Sequence, residues 1–307
     1  MSLSSSRFLR PILTLAAAVW VSAASARNPE PKVSIRSTGS GEVEPLRYQY
    51  KEGTTSKQTV RMATTMTIAA EGLDALPEMP FPLLIITVES TVEKVGDDGI
   101  VRVVGKVTDA DAESVSGVPD EVIETAKKSI PTLEGLEWTL EQDTRGFIKE
   151  AKLSRPSGLS DDVKQMVDEL EAQLTASIMP LPDEPVGIGA EWDVTYEVEA
   201  EGGTTEQHTL RYEYTGRDGT VVKLGIVHTS KGTAPPFSLP GLPDDVKVEP
   251  KEAESESKGT GSEDLALPAA TTRDMLSEAV HHYEVPTPEG TKRFTVTYKA
   301  EEKVTLD

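Results

Sequence analysis

Four histidines, 52 acidic side chains and no cysteine among 307 residues set the chemistry within this chain's reach. Without cysteine there is no thiol nucleophile, no thiolate metal site and no disulfide framework. Hydrolysis by an activated hydroxyl needs a histidine beside a serine or threonine and a third group to orient it. His208 and His228 have threonine neighbours in sequence, but there is no Gly-x-Ser-x-Gly elbow and the neighbours make no triad. His281, His282 and Glu284, with Asp274 or Glu278, are metal-ligating types. On a strand, however, adjacent histidines point to opposite faces, so at most one joins an inner site. "DADAESVSGVPD" sets Asp109, Asp111, Glu113 and Asp120 at positions 1, 3, 5 and 12 of a calcium loop. Ser114 stands where the sharp turn needs glycine, and the last position is Asp rather than a bidentate Glu, so the stretch reads as a polar loop. "GSGEVEP" and "GTGSED" are acidic turns that repel phosphate. The expectation is a non-enzyme with no metal and no cofactor.

What remains is apolar. "GLDALPEMPFP" (72–82) and "APPFSLPGLPDD" (234–245) combine prolines with apolar residues and lack strand alternation. Leu76, Met79 and Phe81 in the first, and Phe237 and Leu239 in the second, are placed to rim a cavity or meet a partner. They can equally fold down and finish a core. Met166 and Leu170, on a helical stripe, complete the candidate contacts to an apolar ligand, with core packing as their competing role.

Positioning these residues falls mainly to strands. Trp192, Val194, Tyr196 and Val198 share one face of "EWDVTYEVEA"; Val60, Met62, Met66 and Ile68 share one of "VRMATTMTI". "HTLRYEY" aligns His208, Leu210, Tyr212 and Tyr214, and "RFTVTYKA" aligns Phe294, Val296, Tyr298 and Ala300. Period-2 patterning with one polar face marks antiparallel strands half exposed to water. Turns at "GDDG" (96–99), "DTRG" (143–146), "GRDG" (216–219) and "PEG" (288–290) punctuate them. Two segments are helical in pattern. "DDVKQMVDELEAQLTASIM" repeats apolar residues at 3–4 spacing behind a Ser160–Asp161 cap, predicting an amphipathic helix over 160–179. "PDEVIETAKKSI" (119–130) predicts a shorter one between Pro119 and Pro131.

Several phrases occur twice, in order. "GTTSKQTV" (53–60) pairs with "GTTEQHTL" (203–210), "DGIVRVVG" (98–105) with "DGTVVKLG" (218–225), and "DTRGFIKEAKL" (143–153) with "TPEGTKRFTVT" (287–297). The reading is an internal duplication. One β-rich domain over 42–307 contains pseudo-repeats of about 42–155 and 186–307, joined by the helix at 160–179. The expected fold class is α+β, mainly antiparallel: a large curled, half-barrel sheet with one long amphipathic helix, and the short one, over its concave face. Residues 27–41 are expected as a flexible N-terminal segment. The stretch 234–264 is expected as a mobile Pro-rich and acidic loop.

Residues 1–26 read as a signal peptide: Arg7 and Arg10, then "PILTLAAAVWVSA", then Ala24-Ser25-Ala26. An exported chain follows, periplasmic or secreted, with no later run long enough to span a membrane as a helix. The net charge is −21, and the leader holds only basic charge, so the remainder is more acidic still. Such a surface repels nucleic acid and anionic headgroups.

"EPVGIGAEW", with Gly187, Gly189 and Trp192 before an alternating strand, resembles an uncharacterised family of exported bacterial proteins, a domain of unknown function. "EPLRYQYKEG" and "VEKVGDDGIVRVVGKV" fit the same pattern. The resemblance implies no active site. By fold analogy it is similar to periplasmic lipoprotein carriers, in which a curled sheet encloses an apolar cavity. Two functions follow as expectations: binding an apolar small molecule or lipid, or contacting an envelope protein without a ligand pocket.

Overall fold

Alternation in the sequence becomes antiparallel pairing throughout. The computed structural model describes residues 31–72, 76–154, 179–200, 204–237, 248–268, 272–287 and 290–307. In chain order the strands are β1 (Lys32–Glu44), β2 (Thr55–Ala70), β3 (Met79–Pro80), β4 (Leu83–Val95), β5 (Val101–Glu113), β6 (Glu137–Gln142) and β7 (Ile148–Ser154). They continue as β8 (Val186–Ala200), β9 (Thr204–Asp218), β10 (Val221–Thr233), β11 (Glu249–Asp264), β12 (Thr272–Thr287) and β13 (Gly290–Leu306). All belong to one 13-stranded sheet of order β1-β8-β9-β10-β11-β12-β13-β2-β4-β5-β6-β7, with β3 beside β2. The twice-written phrases lead into β2 and β9, into the second strands of the β4–β5 and β9–β10 hairpins, and into β7 and β13.

Six strands separate β1 from β2, although only residues 45–54 connect them. At about 4.8 Å per strand the path along a flat sheet is roughly 34 Å, near the full reach of a straight ten-residue chain. The connection is not straight, since Thr54 N–H closes a turn onto the Lys51 carbonyl. It cuts across the inside of a bend instead. Tyr48 N–H donates to Thr144 O in the β6–β7 turn, Gln49 N–H to Leu265 O after β11, and Leu181 N–H to Arg145 O. Thus the β6–β7 turn, at one end of the strand order, meets the segments flanking β1 and β8 at the other. Hydrogen bonds define the curl.

At the β1–β8 junction the backbones touch. A Cβ on Gly187 would lie 2.6 Å from the Ser40 carbonyl, so that position requires glycine. Trp192 follows, fully buried, its indole N–H donating to Pro180 O.

The expected fold class needs correction. The curled antiparallel sheet is present, but the described chain is nearly all β rather than α+β. Its helical part is α1 (Asp120–Ser129) with a 3-10 turn at Ile130–Leu133. Among the described residues there is no long amphipathic helix; the one expected at 160–179 lies outside them but for Met179, as does the leader 1–26. The inner face is closed by other means. Ala126, Ile130 and Leu133 pack on Met62, Leu84, Val88 and Val107, while Leu46, Tyr48, Met179 and Leu181 pack on Trp192 and Tyr212.

Two stretches expected as mobile are strands. Residues 32–44 form β1, where Arg36 pairs with Asp193 at 2.9 Å. Residues 249–264 form β11, in the interior of the sheet between β10 and β12. Asp109, Asp111 and Glu113 lie in β5, paired along β4, so they form no calcium loop.

The outer face is charged. Asp193 binds both Arg36 and Arg211, Glu284 binds both Lys251 and Arg293, and Arg102 reaches Glu93 and Glu141. A membrane-spanning barrel has the opposite distribution, an apolar band outside and a polar lumen. No helix among the described residues is long and apolar enough to cross a membrane.

Candidate functional site

Besides the aliphatic cluster under α1, the inner face holds two large aromatic-rich clusters that do not merge. One centres on Trp192, Leu210, Tyr212, Leu224 and Ile226 of β8–β10; the other on Met66, Tyr283, Phe294, Val296 and Tyr298 of β2, β12 and β13. Between their centres runs β11, whose inward positions are Ala253, Ser255, Ser257, Gly259 and Gly261; Ala253 belongs to the second cluster, and Met275 of β12 to the first. No inward side chain here is large until Glu263. The result is a seam of small and polar residues between aromatic walls. Ser255 and Ser277 on its floor are half-buried, as is Ala279, which packs against the second cluster.

Register assembles the polar side chains. Tyr196 pairs with His208, His208 with Ser230, and Ser230 with Ser255; one row over, Leu210, His228, Ser257 and Ser277 follow in line. The rings of Tyr196, His208 and His228 lie parallel, with centroids 4.9 and 5.4 Å apart. His208 Nδ1 and His228 Nε2 are hydrogen bonded at 3.1 Å, and Glu206 Oε1 stands 3.6 Å from His208 Nε2. Gly232 makes room for that carboxylate: a Cβ there would lie 3.0 Å from Glu206 Cγ. Ser230 Oγ and Ser255 Oγ are 2.9 Å apart.

Electrostatics follow from burial and these contacts. Burial alone would raise Glu206, but the neighbouring His208 and Ser230, with His228 beyond, outweigh it and hold the carboxyl below its usual range. Burial, reinforced by His208, pushes His228 down to about 3. Burial likewise takes His281 down to about 4. The seam therefore combines an ionised carboxylate with two imidazoles, His228 and His281, that burial holds uncharged at neutral pH. Four of its buried polar atoms have no hydrogen-bond partner: Tyr196 OH, His208 Nε2, Ser277 Oγ and His281 Nδ1.

A second polar group lies toward the other end of β11. Burial raises Glu263 to about 7 against the opposing pull of Arg273, and burial also raises Glu302.

The sequence candidates divide. Met79, Phe81 and Phe237 do come together, packed on the cluster of Tyr283 and Phe294, with the Phe237 ring 5.2 Å from that of Tyr283. Phe81 is buried there as core. Leu76 remains 51% exposed. Met166, Leu170 and Leu239 lie outside the described residues. His281 faces inward and His282 outward onto Thr295 Oγ1, as adjacent strand residues must. Glu284 is engaged by Lys251 and Arg293, and no group of three metal-ligating side chains occurs among the described residues.

Sequence reasoning missed the seam, although a signal existed. His208 shares the phase of Leu210 and Tyr212, and folding the chain at "GRDG" lays β10 beside it with His228 near. Two histidines in apolar register on neighbouring strands predict a buried pair.

No family model matches the chain, and no curated protein matches it. Among solved structures, the outer membrane protein OprG from Pseudomonas aeruginosa is similar over 84% of this chain and 99% of its own, at 6% identity. The TM-score is 0.23, at which the likeness carries no argument. The resemblance of "EPVGIGAEW" to an uncharacterised exported family therefore rests on those residues alone.

Proposed function

We propose that the chain is an exported, non-catalytic binding protein that holds a molecule with an apolar body, a lipid or acyl chain, on the inner face of its sheet. One observation carries this reading: two aromatic-rich clusters of the core stay separate, with the half-buried Ser255 and Ser277 between their centres and Ala279 against the second. An acyl chain in the seam would touch apolar walls on both sides, each fully buried methylene contributing about 0.8 kcal/mol. Export is supported by the leader-like residues 1–26, and a water-facing location by the charged outer face.

The test is native mass spectrometry on residues 27–307, purified from a bacterial periplasm without detergent. Extra mass that organic solvent extracts is expected, and its loss is expected in the folded Ser255→Leu/Ala279→Leu variant, whose side chains fill the seam. A clean apo mass, unchanged after incubation with lipids and fatty acids, would overturn the reading and favour an envelope-protein contact. Ligand retained undiminished in the filled variant would move the site elsewhere.

A further inference from the structure

One arginine departs from the pattern of the rest. Every other arginine among the described residues has a carboxylate within ion-pair distance, mostly on the outer face. Arg273 of β12 has no ion pair and no hydrogen bond among the described residues. It is half-buried, in phase with the inward Met275 and Ser277, and sits between Gly261 of β11 and Val304 of β13. Its charge acts on Glu263 and Glu302 and also on Tyr212 and His228, so the guanidinium stands between the second polar group and the seam. A guanidinium partly withdrawn from water without a bonded anion is costly, and a carboxylate that matches its paired N–H groups recovers that cost.

We propose that Arg273 anchors the carboxylate head of a single-chain amphiphile whose acyl chain lies along the seam toward Tyr283, Phe294 and Tyr298. The idea rests on the binding reading above and names its ligand class. Glu263 and Glu302 do not take the ligand's place: neither comes within ion-pair distance of Arg273, and burial favours the protonated form of both. A phosphate would set a second negative charge beside them, whereas a carboxylate matches the one cation. Ser277 Oγ, buried on the seam side without a partner, can donate to the same head. From Arg273 to Ala279 β12 rises about 20 Å, room for a long extended chain. Met275 lies between, and its unbranched side chain can shift to admit one. At the other end of the seam the ionised Glu206 has the opposite sign, so the ligand has one orientation.

Two measurements test this separately from the binding reading. The first is calorimetric titration of residues 27–307 with laurate and with 1-monolauroylglycerol, matched in acyl chain, at pH 7.5. Laurate is expected to bind at least tenfold more tightly, and Arg273→Gln to remove that advantage while monolauroylglycerol changes less than twofold. Equal or tighter binding of the neutral amphiphile, or a laurate affinity that Arg273→Gln leaves unchanged, overturns the anchor and leaves the binding reading standing. Equal loss of both in the variant makes Arg273 structural and overturns the anchor too. Binding of neither to the wild type overturns the binding reading with it. The second measurement needs no variant: carbon NMR of laurate labelled at its carboxyl carbon, titrated with pH in the complex. Beside Arg273 the bound carboxylate is expected to stay ionised to about one pH unit or more below the point where free laurate takes up its proton. A bound carboxyl that protonates at or above the free value overturns the anchor.

Discussion

The inner face of this sheet is finished in two different ways. Over β2, β4 and β5 it is aliphatic, and α1 with its 3-10 turn lies on it: Ala126, Ile130 and Leu133 against Met62, Leu84 and Val107. Over β9–β12 the same face carries Glu206, three histidines and a line of serines. Both regions use the same backbone pairing; they differ in what the inward side chains need. Apolar side chains are satisfied by any well-packed neighbour, whereas the serines and imidazoles need specific partners and several lack them. One region stores stability, and the other forgoes it. Truncating the helix contact should break the first alone. Ile130→Ala and Leu133→Ala are each expected to cost about 3 kcal/mol in urea denaturation, through lost burial and a cavity. Losses under 1 kcal/mol would mean that α1 is a loose cover and that the two regions do not differ in kind.

How legible each region was in the sequence follows the same division. Strands such as β2, β8 and β13 were readable because large apolar residues alternate with polar ones, and α1 because prolines bracket it. β11 was read as a loop because "EAESESKGTGSED" alternates small polar against charged, a period with no hydropathy contrast. Its strand form comes from the backbone ladders of β10 and β12 rather than from its own propensity. β1 was missed because Gly39 and Gly41 interrupt the alternation where the strand bulges against β8. The curl was expected from strand number, but its cause, the strap at 45–54, depends on β1 crossing to β8, which no local pattern encodes. The candidate rim residues were legible as apolar, with core and rim roles both open; only the packing decides for core at Phe81.

The far end of β11 sharpens the comparison through pH. Burial raises Glu263 from an ordinary 4.5 to about 7. Below 4.5 the group is protonated in both folded and unfolded chains and its contribution is at its fullest. As pH rises from 4.5 to 7 the unfolded chain releases the proton first, so this contribution is progressively lost. The shift corresponds to roughly 3 kcal/mol across that window as an upper bound, since Arg273 shares the site. Glu263→Gln should match the wild type at pH 4 and exceed it by about 2 kcal/mol at pH 8, measured by urea midpoints. Parallel stability curves across that range would show that the carboxyl is solvated and that this part of the face is not closed.

The smallest effect separates the two regions most cleanly, because it compares one residue type on one face. Ser230 is paired with Ser255 and hydrogen-bonds Glu206, so Ser230→Ala should cost about 1 kcal/mol. Ser277 Oγ is buried without a partner, so Ser277→Ala removes a desolvation penalty and nothing else from the unliganded fold. Stability should stay level or rise by up to about 1 kcal/mol. On the binding reading, Ser277→Ala on the floor of the seam should weaken the ligand found by native mass spectrometry three- to tenfold while the protein becomes no less stable. If it destabilises the fold as Ser230→Ala does, the hydroxyl is structural and the two serines are alike. If stability rises and affinity does not change, the seam is polar but the ligand's head lies outside it.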